Sequence, residues 1–329
     1  MLPKGTHANS QRESDPTRIT IHVSVSSGRF QQMTLLVGYP TNRRAKAVLS
    51  MAGMLARSSG QEVVVCTVIR DPRVPGVTRD DPEFCSYVDG LADTAIEQAR
   101  RDMPADVPVT FTRIDARSIP AGLVQAAEQR NASMIVVGSA MGPVERVTVS
   151  SVADRLLHSS PLPVAIATRG FRAESGQVQR VTLAFDGGEQ ADVKVAAAEA
   201  VAAQFGAEFR LASFAVHLSP PEALRVHLEG NAVFEQWIKK NRSAAREAVL
   251  SDEVVARRDP QIVIGQGDDW EEALDDIDWG TGEVMVIGSS PAGALARVFL
   301  GSRAAKIVRH TPVPVIAIPR GAAAEVAER

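Results

Sequence analysis

EVMVIGSSPAGALARVFLGSRAAKIVRHTPVPVIAI (Glu283–Ile318) begins with a β-branched apolar run, passes through small residues, opens an amphipathic segment at Gly301-Ser302 and closes on a second apolar run. An earlier stretch has the same organisation. SMIVVGSA (Ser133–Ala140) resembles EVMVIGSS (Glu283–Ser290), and SPLPVAIA (Ser160–Ala167) resembles TPVPVIAI (Thr311–Ile318). Gly288 follows Gly138 by 150 residues, while Pro312 follows Pro161 and Pro314 follows Pro163 by 151. A single-residue difference between Gly138 and Ser150 accounts for the change, so the chain is read as two copies of one unit.

Outward from these runs, short β-branched segments alternate with longer Ala-rich ones, the βαβα pattern of a parallel sheet covered by helices. Strands are expected at Thr34–Gly38, Glu62–Ile69, Val107–Ile114, Ser133–Gly138 and Pro163–Thr168. The second set is Arg180–Phe185, Glu208–Ala215, Gln261–Gly265, Glu283–Gly288 and Pro314–Pro319. The expected organisation is a flexible, Ser/Arg/Thr/Asp-rich tail over 1–30, a first domain over 31–170, a second over 177–321 and a tail over 322–329. Ile19, Ile21, Val23 and Val25 alternate with polar residues and allow an extra edge strand. In Leu218–Leu250, Leu224, Leu228, Phe234, Trp237 and Ile238 predict helical structure on the sheet, interrupted at Gly230.

Composition narrows the function. The 329 residues are 45% hydrophobic and 23% charged, enough for two buried cores, and the net charge of -3 offers no basic field for nucleic acid or an anionic membrane. No stretch of about 18 apolar residues and no secretory leader is visible, so a cytoplasmic protein without a membrane partner is expected. Cys66 and Cys85 form no CxxC, and the six histidines include no pair at helical zinc spacing. The acidic run GDDWEEALDDID (Gly267–Asp278) reads as a short helix with acids in its first turn, which its dipole and solvent satisfy without a metal. There is no Walker loop, no GxGxxG after the first strand and no GxSxG elbow. Binding is therefore expected rather than catalysis.

Two positions point to a ligand. Gly301-Ser302 opens a helix, where free backbone N–H groups, a hydroxyl and the positive dipole end suit a phosphate. Asp186, in AFDGG, falls just past the carboxyl end of a strand, where open parallel sheets bind ligands and a carboxylate accepts hydrogen bonds from a ribose. Each has a plainer reading: a Gly-Ser helix cap, and an aspartate that caps the following helix.

These residues resemble the universal stress protein family, in tandem, over roughly Thr34 to Arg320. That family carries an acid after strand one and, after strand four, a glycine, two residues, a glycine, nine residues, then glycine and Ser or Thr. Gly288, Gly301, Ser302 and Asp186 fit. The resemblance implies an α/β fold of two open-sheet domains, adenine nucleotide alpha hydrolase-like, each with five parallel strands and helices on both faces. It also implies ATP or AMP as ligand, with Mg if ATP. By that similarity Ala184, Asp186, Phe214, Ile287 and Gly288 line the nucleoside, and Gly301, Ser302 and Arg303 meet the phosphates. Pro291 replaces the second glycine and removes one N–H donor, a loss of about 1.5–3 kcal/mol, or one to two decades of affinity, which the neighbouring Gly293 can replace. In the first copy Pro40, Met141 and Ser150-Ser151 occupy the motif positions, so that copy is expected to be empty.

The expected function is stress-response sensing of an adenine nucleotide by the second domain, passed to an unidentified protein partner. The alternative is a nucleotide-independent interaction module with relic loops. PVAIAT and PVIAIP are expected to pair within one chain as a pseudo-dimer, with a homodimer beyond that also allowed.

Overall fold

The computed structural model describes residues 33–42, 45–70, 82–139, 150–188, 190–217, 229–288 and 302–319. The tail over 1–30, the alternation from Ile19 to Val25, Leu224 and Leu228 lie outside them.

The first half runs β1 (Thr34–Gly38), α1 (Lys46–Ser59), β2 (Glu62–Arg70), α2 (Pro82–Asp102), β3 (Val109–Ala116), α3 (Ile119–Gln129), β4 (Ala132–Gly138), α4 (Ser151–Ser159) and β5 (Val164–Ala167). The second half repeats it: β6 (Arg180–Ala184), α5 (Ala191–Phe205), β7 (Glu208–Val216), α6 (Glu229–Leu250), α7 (Glu253–Arg258), β8 (Gln261–Gly267), α8 (Trp270–Asp275), β9 (Glu283–Gly288), α9 (Ser302–His310) and β10 (Val315–Ile318).

Within each half the five strands are parallel, and the ten form one sheet in the order β3-β2-β1-β4-β5-β10-β9-β6-β7-β8. The halves join where β5 and β10 pair antiparallel, Val315 opposite Ile166 and Ala317 opposite Val164. The pairing expected of PVAIAT and PVIAIP is thus present, and each final strand covers the edge of the other.

Two apolar cores lie on opposite faces of the sheet, and each draws residues from both halves. One gathers β-strand residues such as Leu35 and Val181 under α1, α2, α5 and α6; the other gathers Leu36, Ile135 and Met285 under α3, α4, α8 and α9. The linker is fastened to α1: Ala173 N–H donates to Ser50 Oγ (2.8 Å), Val178 N–H to Ser58 Oγ (2.7 Å) and Arg57 Nη1 to the Gly176 carbonyl (3.1 Å).

Eight of the ten strands differ from the sequence reading by one or two residues at one or both ends, and α6 differs as well. β3 starts at Val109, not Val107, because Val107 N–H turns back to the Pro104 carbonyl and Pro108 has no N–H for the ladder. β5 and β10 start one residue after Pro163 and Pro314, whose carbonyls accept from Ile135 and Met285. β8 continues to Gly267. α6 begins at Glu229 and includes Gly230, so that glycine lies in the first turn, where its low propensity costs least, rather than at a break. Ile238 of α6 is buried, and Trp237 is half-buried.

Candidate functional site

In parallel α/β sheets the ligand edge is where strands end and helices begin. At that edge of the second half, β6 ends at Ala184, which is half-buried, and the chain leaves through Phe185. Phe185 N–H donates to the Ala212 carbonyl (2.8 Å), and its own carbonyl accepts from the buried Ser213 hydroxyl (2.9 Å). The exit is therefore held from both sides before the chain reaches Asp186. Gly187 then takes φ +65, a conformation glycine adopts without penalty.

Asp186 Oδ1 accepts from the Gly188 N–H (3.1 Å) and from Lys194 Nζ (3.0 Å). It does not cap the following helix: the cap position of α5 is Gln190, in the left-handed region at φ 58, with no side-chain cap hydrogen bond. Lys194, in the first turns of α5, has a side chain only 14% exposed, against 53% for Asp186. Its methylenes lie over the end of β9, where a Cβ added to Gly288 would sit 3.1 Å from Lys194 Cγ. Lys194 thus links Asp186 to Gly288.

The other expected residues are placed as follows. Ile287 and Phe214 are buried in the core on the α8/α9 face, so they offer backbone rather than side chain to the edge. Gly288 is half-buried. Ser302 and Arg303 are exposed at the first turn of α9, whose Ile307 and Val308 anchor it to the core. Gly293 and Gly301 lie outside the described residues.

Three neighbours were not found by sequence reasoning. Lys194 sits in an Ala-rich stretch whose composition marks it only as helical. Asn241 of α6 is 6% exposed; its Oδ1 lies 2.8 Å from where a Cβ on Gly187 would be, and its Nδ2 has no hydrogen-bond partner among the described residues. His217, one residue past β7, donates its N–H to the Gly267 carbonyl (2.8 Å) and stacks on Phe234, ring centroids 3.5 Å apart. None carries a motif, and only the fold brings them to this edge.

The first half offers a contrast at the equivalent edge. Pro40 stands in place of Asp186, and a Cβ on Gly138 would face Val48, fully buried, instead of a lysine. Ser150 caps α4 through its own hydroxyl, which accepts from Ala153 N–H (3.0 Å).

The acidic run folds as expected of a short helix. Asp269 caps α8 by accepting from Glu272 N–H (2.9 Å), Glu272 returns to Asp268 N–H (2.9 Å), and Asp276 accepts from Gln266 N–H (2.9 Å). Among the described residues no group of three or more His, Cys, Asp or Glu is placed to hold a metal, and no helix is long and apolar enough to cross a membrane.

Comparison with known proteins supplies the lineage. Residues 33–168 and 177–319 each match the universal stress protein family. A universal stress protein from Mycobacterium tuberculosis strain H37Rv is 35% identical over 299 residues, 87% of this chain and 100% of the relative. One from Thermus aquaticus is 29% identical over 141 residues, 42% of this chain and 96% of its own. The crystal structure of a universal stress protein from Archaeoglobus fulgidus is 20% identical and covers 87% of this chain and 98% of its own, with a TM-score of 0.56. With the family matched once in each half, and the two halves joined in one sheet, the chain belongs to the universal stress protein family as a tandem of two of its domains.

Proposed function

We propose that the second domain, 177–321, binds an adenine nucleotide, ATP or AMP, with Mg when the ligand is ATP, and that the first, 31–170, is a scaffold without a ligand. The nucleoside lies against Ala184, Asp186, Phe214, Ile287 and Gly288; the phosphates meet Gly293, Gly301, Ser302 and Arg303. Occupancy shifts the chain between two conformations of different affinity for a protein partner, and so reports stress. The observation that carries the reading is the Asp186 carboxylate, half-exposed at the carboxyl edge and oriented by Lys194 and Gly188 N–H, where the first half has proline. The carboxylate is committed to a cation and a backbone donor rather than to a hydroxyl nucleophile or histidine, which favours binding over catalysis.

Pro291 and Pro40 favour the second reading, a nucleotide-independent docking module. Calorimetric titration of ATP and AMP into the full chain separates the two. Saturable binding at one site, lost in Gly301→Asp, supports nucleotide sensing. No heat at millimolar nucleotide, from folded protein free of co-purified ligand, supports the docking module.

A further inference from the structure

The Asp186–Lys194 pair is unnecessary to the fold, and the protein itself supplies the control. β1 and β6 are related by 146 residues, since Thr34 pairs with Glu62 as Arg180 pairs with Glu208. At the same interval Pro40 corresponds to Asp186 and Val48 to Lys194. Both members of the second pair face the equivalent glycine, Gly138 for Val48 and Gly288 for Lys194. The first half therefore carries two apolar residues where the second carries a charged pair. The second half instead places an ammonium in the first turns of α5, where the positive end of the helix dipole and partial burial both disfavour it. An acid and a base have entered together where proline and valine suffice.

An ammonium has three donors. Asp186 Oδ1 takes one from Lys194, and among the described residues no other acceptor lies within hydrogen-bond distance of Nζ. Asp186 Oδ2 likewise accepts no hydrogen bond among the described residues. The pair thus presents a free carboxylate oxygen beside spare ammonium donors at the carboxyl edge, against Gly288, whose missing side chain lets Lys194 lie there. That is a two-point receptor for a hydroxyl donor adjoining an anion.

We propose that Lys194 is the residue by which this site selects a phosphorylated nucleoside over the bare nucleoside: the sugar hydroxyl donates to Asp186 Oδ2 and the phosphoryl oxygen nearest the sugar accepts from Lys194. The proposal rests on the nucleotide-binding reading above. It adds a charged contact from α5, outside the glycine loop, that offsets the donor lost at Pro291.

The test is calorimetric titration of AMP and of adenosine into the full chain as wild type, Lys194→Met and Lys194→Arg, each checked for native melting. Wild type is expected to bind AMP more tightly than adenosine. Lys194→Met is expected to weaken AMP by about ten- to a hundredfold, the range of one charge-assisted contact, and adenosine by less than about threefold. Lys194→Arg is expected to retain most of the AMP preference. Equal losses for both ligands would mean that Lys194 only positions Asp186, and would overturn the proposal. Unchanged AMP affinity, or tighter AMP binding because the lysine had been a plug, would also overturn it. Failure of the wild type to bind either ligand removes the nucleotide reading itself, an outcome distinct from all of these.

Discussion

The two halves share a topology and fill it differently. Beneath α3 in the first half, the start of the sheet is apolar: Leu36 and Val64 are buried side by side, and Ser133 makes only neutral hydrogen bonds, to the Thr34 carbonyl and Gln61. At the same places the second half has Thr182, Arg210 and Glu283. Arg210 Nη2 meets Glu283 Oε1 at 2.6 Å, Arg210 Nε donates to Thr182 Oγ1 (3.1 Å), and the Thr182 hydroxyl donates to Glu283. The Arg210 side chain, 4% exposed, lies under the Trp279 ring, and Glu283 is fully buried. The covering helices explain the difference. α3 has 11 residues and α8 only 6, so the segment carrying Asp278 and Trp279 takes over, and its Asp278 carbonyl accepts from Arg210 Nη1 (3.1 Å).

The helix-to-strand contact also differs. In the first half the helix carries the glycine: a Cβ on Gly122 would meet Val68 Cγ1 at 2.6 Å and Ala116 Cβ at 2.9 Å. In the second half the strand carries it: a Cβ on Gly265 would lie 2.0 Å from the Ala273 carbonyl oxygen, and one on Gly267 2.4 Å from Ala273 N. Counting from the caps Ser118 and Asp269, Gly122 and Ala273 occupy the same helical position. Close approach was preserved while the glycine changed elements.

The largest effect is expected from Arg210→Met, which removes the buried cation from Glu283, leaving it Arg180 at 3.5 Å, the Gly280 N–H and the Thr182 hydroxyl, and should cost about 3–5 kcal/mol in urea unfolding. Arg210→Met with Glu283→Met, which imitates the apolar first half, should recover that loss or exceed wild type by about 1–4 kcal/mol. A double variant as weak as the single one would show that the ionic network is indispensable. Gly265→Ala should follow at more than about 3 kcal/mol, because its clash is with backbone, and Gly122→Ala should cost about 1–3 kcal/mol, because side chains can yield. The reverse ranking would break the account of the glycine exchange. Lys194→Val, the first-half residue, should change stability by less than about 1 kcal/mol, since its partner is half-exposed. A larger loss would mean that the charged pair is structural.

Asp106 gives a pH test confined to the first half. The Arg57 guanidinium donates to its carboxylate at 2.6 Å and holds it at about 2, below the usual 3.8. A depressed acid stabilises fully above its unfolded value and loses that contribution as pH falls from about 4 through about 2. Asp106→Asn should flatten the acid limb of the stability curve in that window, lowering stability at neutral pH slightly and leaving it nearly unaffected below about pH 2. The smallest signal is a comparison of probes. Both cysteines lie in the first half, and Trp237, Trp270 and Trp279 lie in the second. Burial pushes the Cys66 thiol up to about 12, so it should resist alkylation until its half opens, while half-buried Cys85 reacts first. Coincident Cys66 labelling and tryptophan transitions are expected if the shared sheet makes the halves one cooperative unit.

Most of the architecture was legible because the strands are apolar runs repeated at nearly constant intervals, as in EVVVCTVI and EFRLASFA. Boundaries shifted at Pro108, Pro163 and Pro314, where apolar character continues through a residue that cannot donate to the ladder. Asp186 and Gly288 were visible through motif spacing. Lys194 and Asn241 were not, because their relation to the site depends on how α5 and α6 dock on the sheet. Arg210 and Glu283 escaped notice since they are ordinary charges in sequence and become a buried network only when β6, β7 and β9 align.

The antiparallel β5–β10 junction has a consequence for direction. Strands on one side of it run opposite to those on the other, so the carboxyl rims of the two halves, with the helix N-termini gathered there, lie at opposite ends of the sheet. The two rims therefore do not pool their fields, and no small molecule can span both. Proline at 40 and aspartate at 186 therefore act on separate rims, and a change at one end of the molecule leaves the other undisturbed.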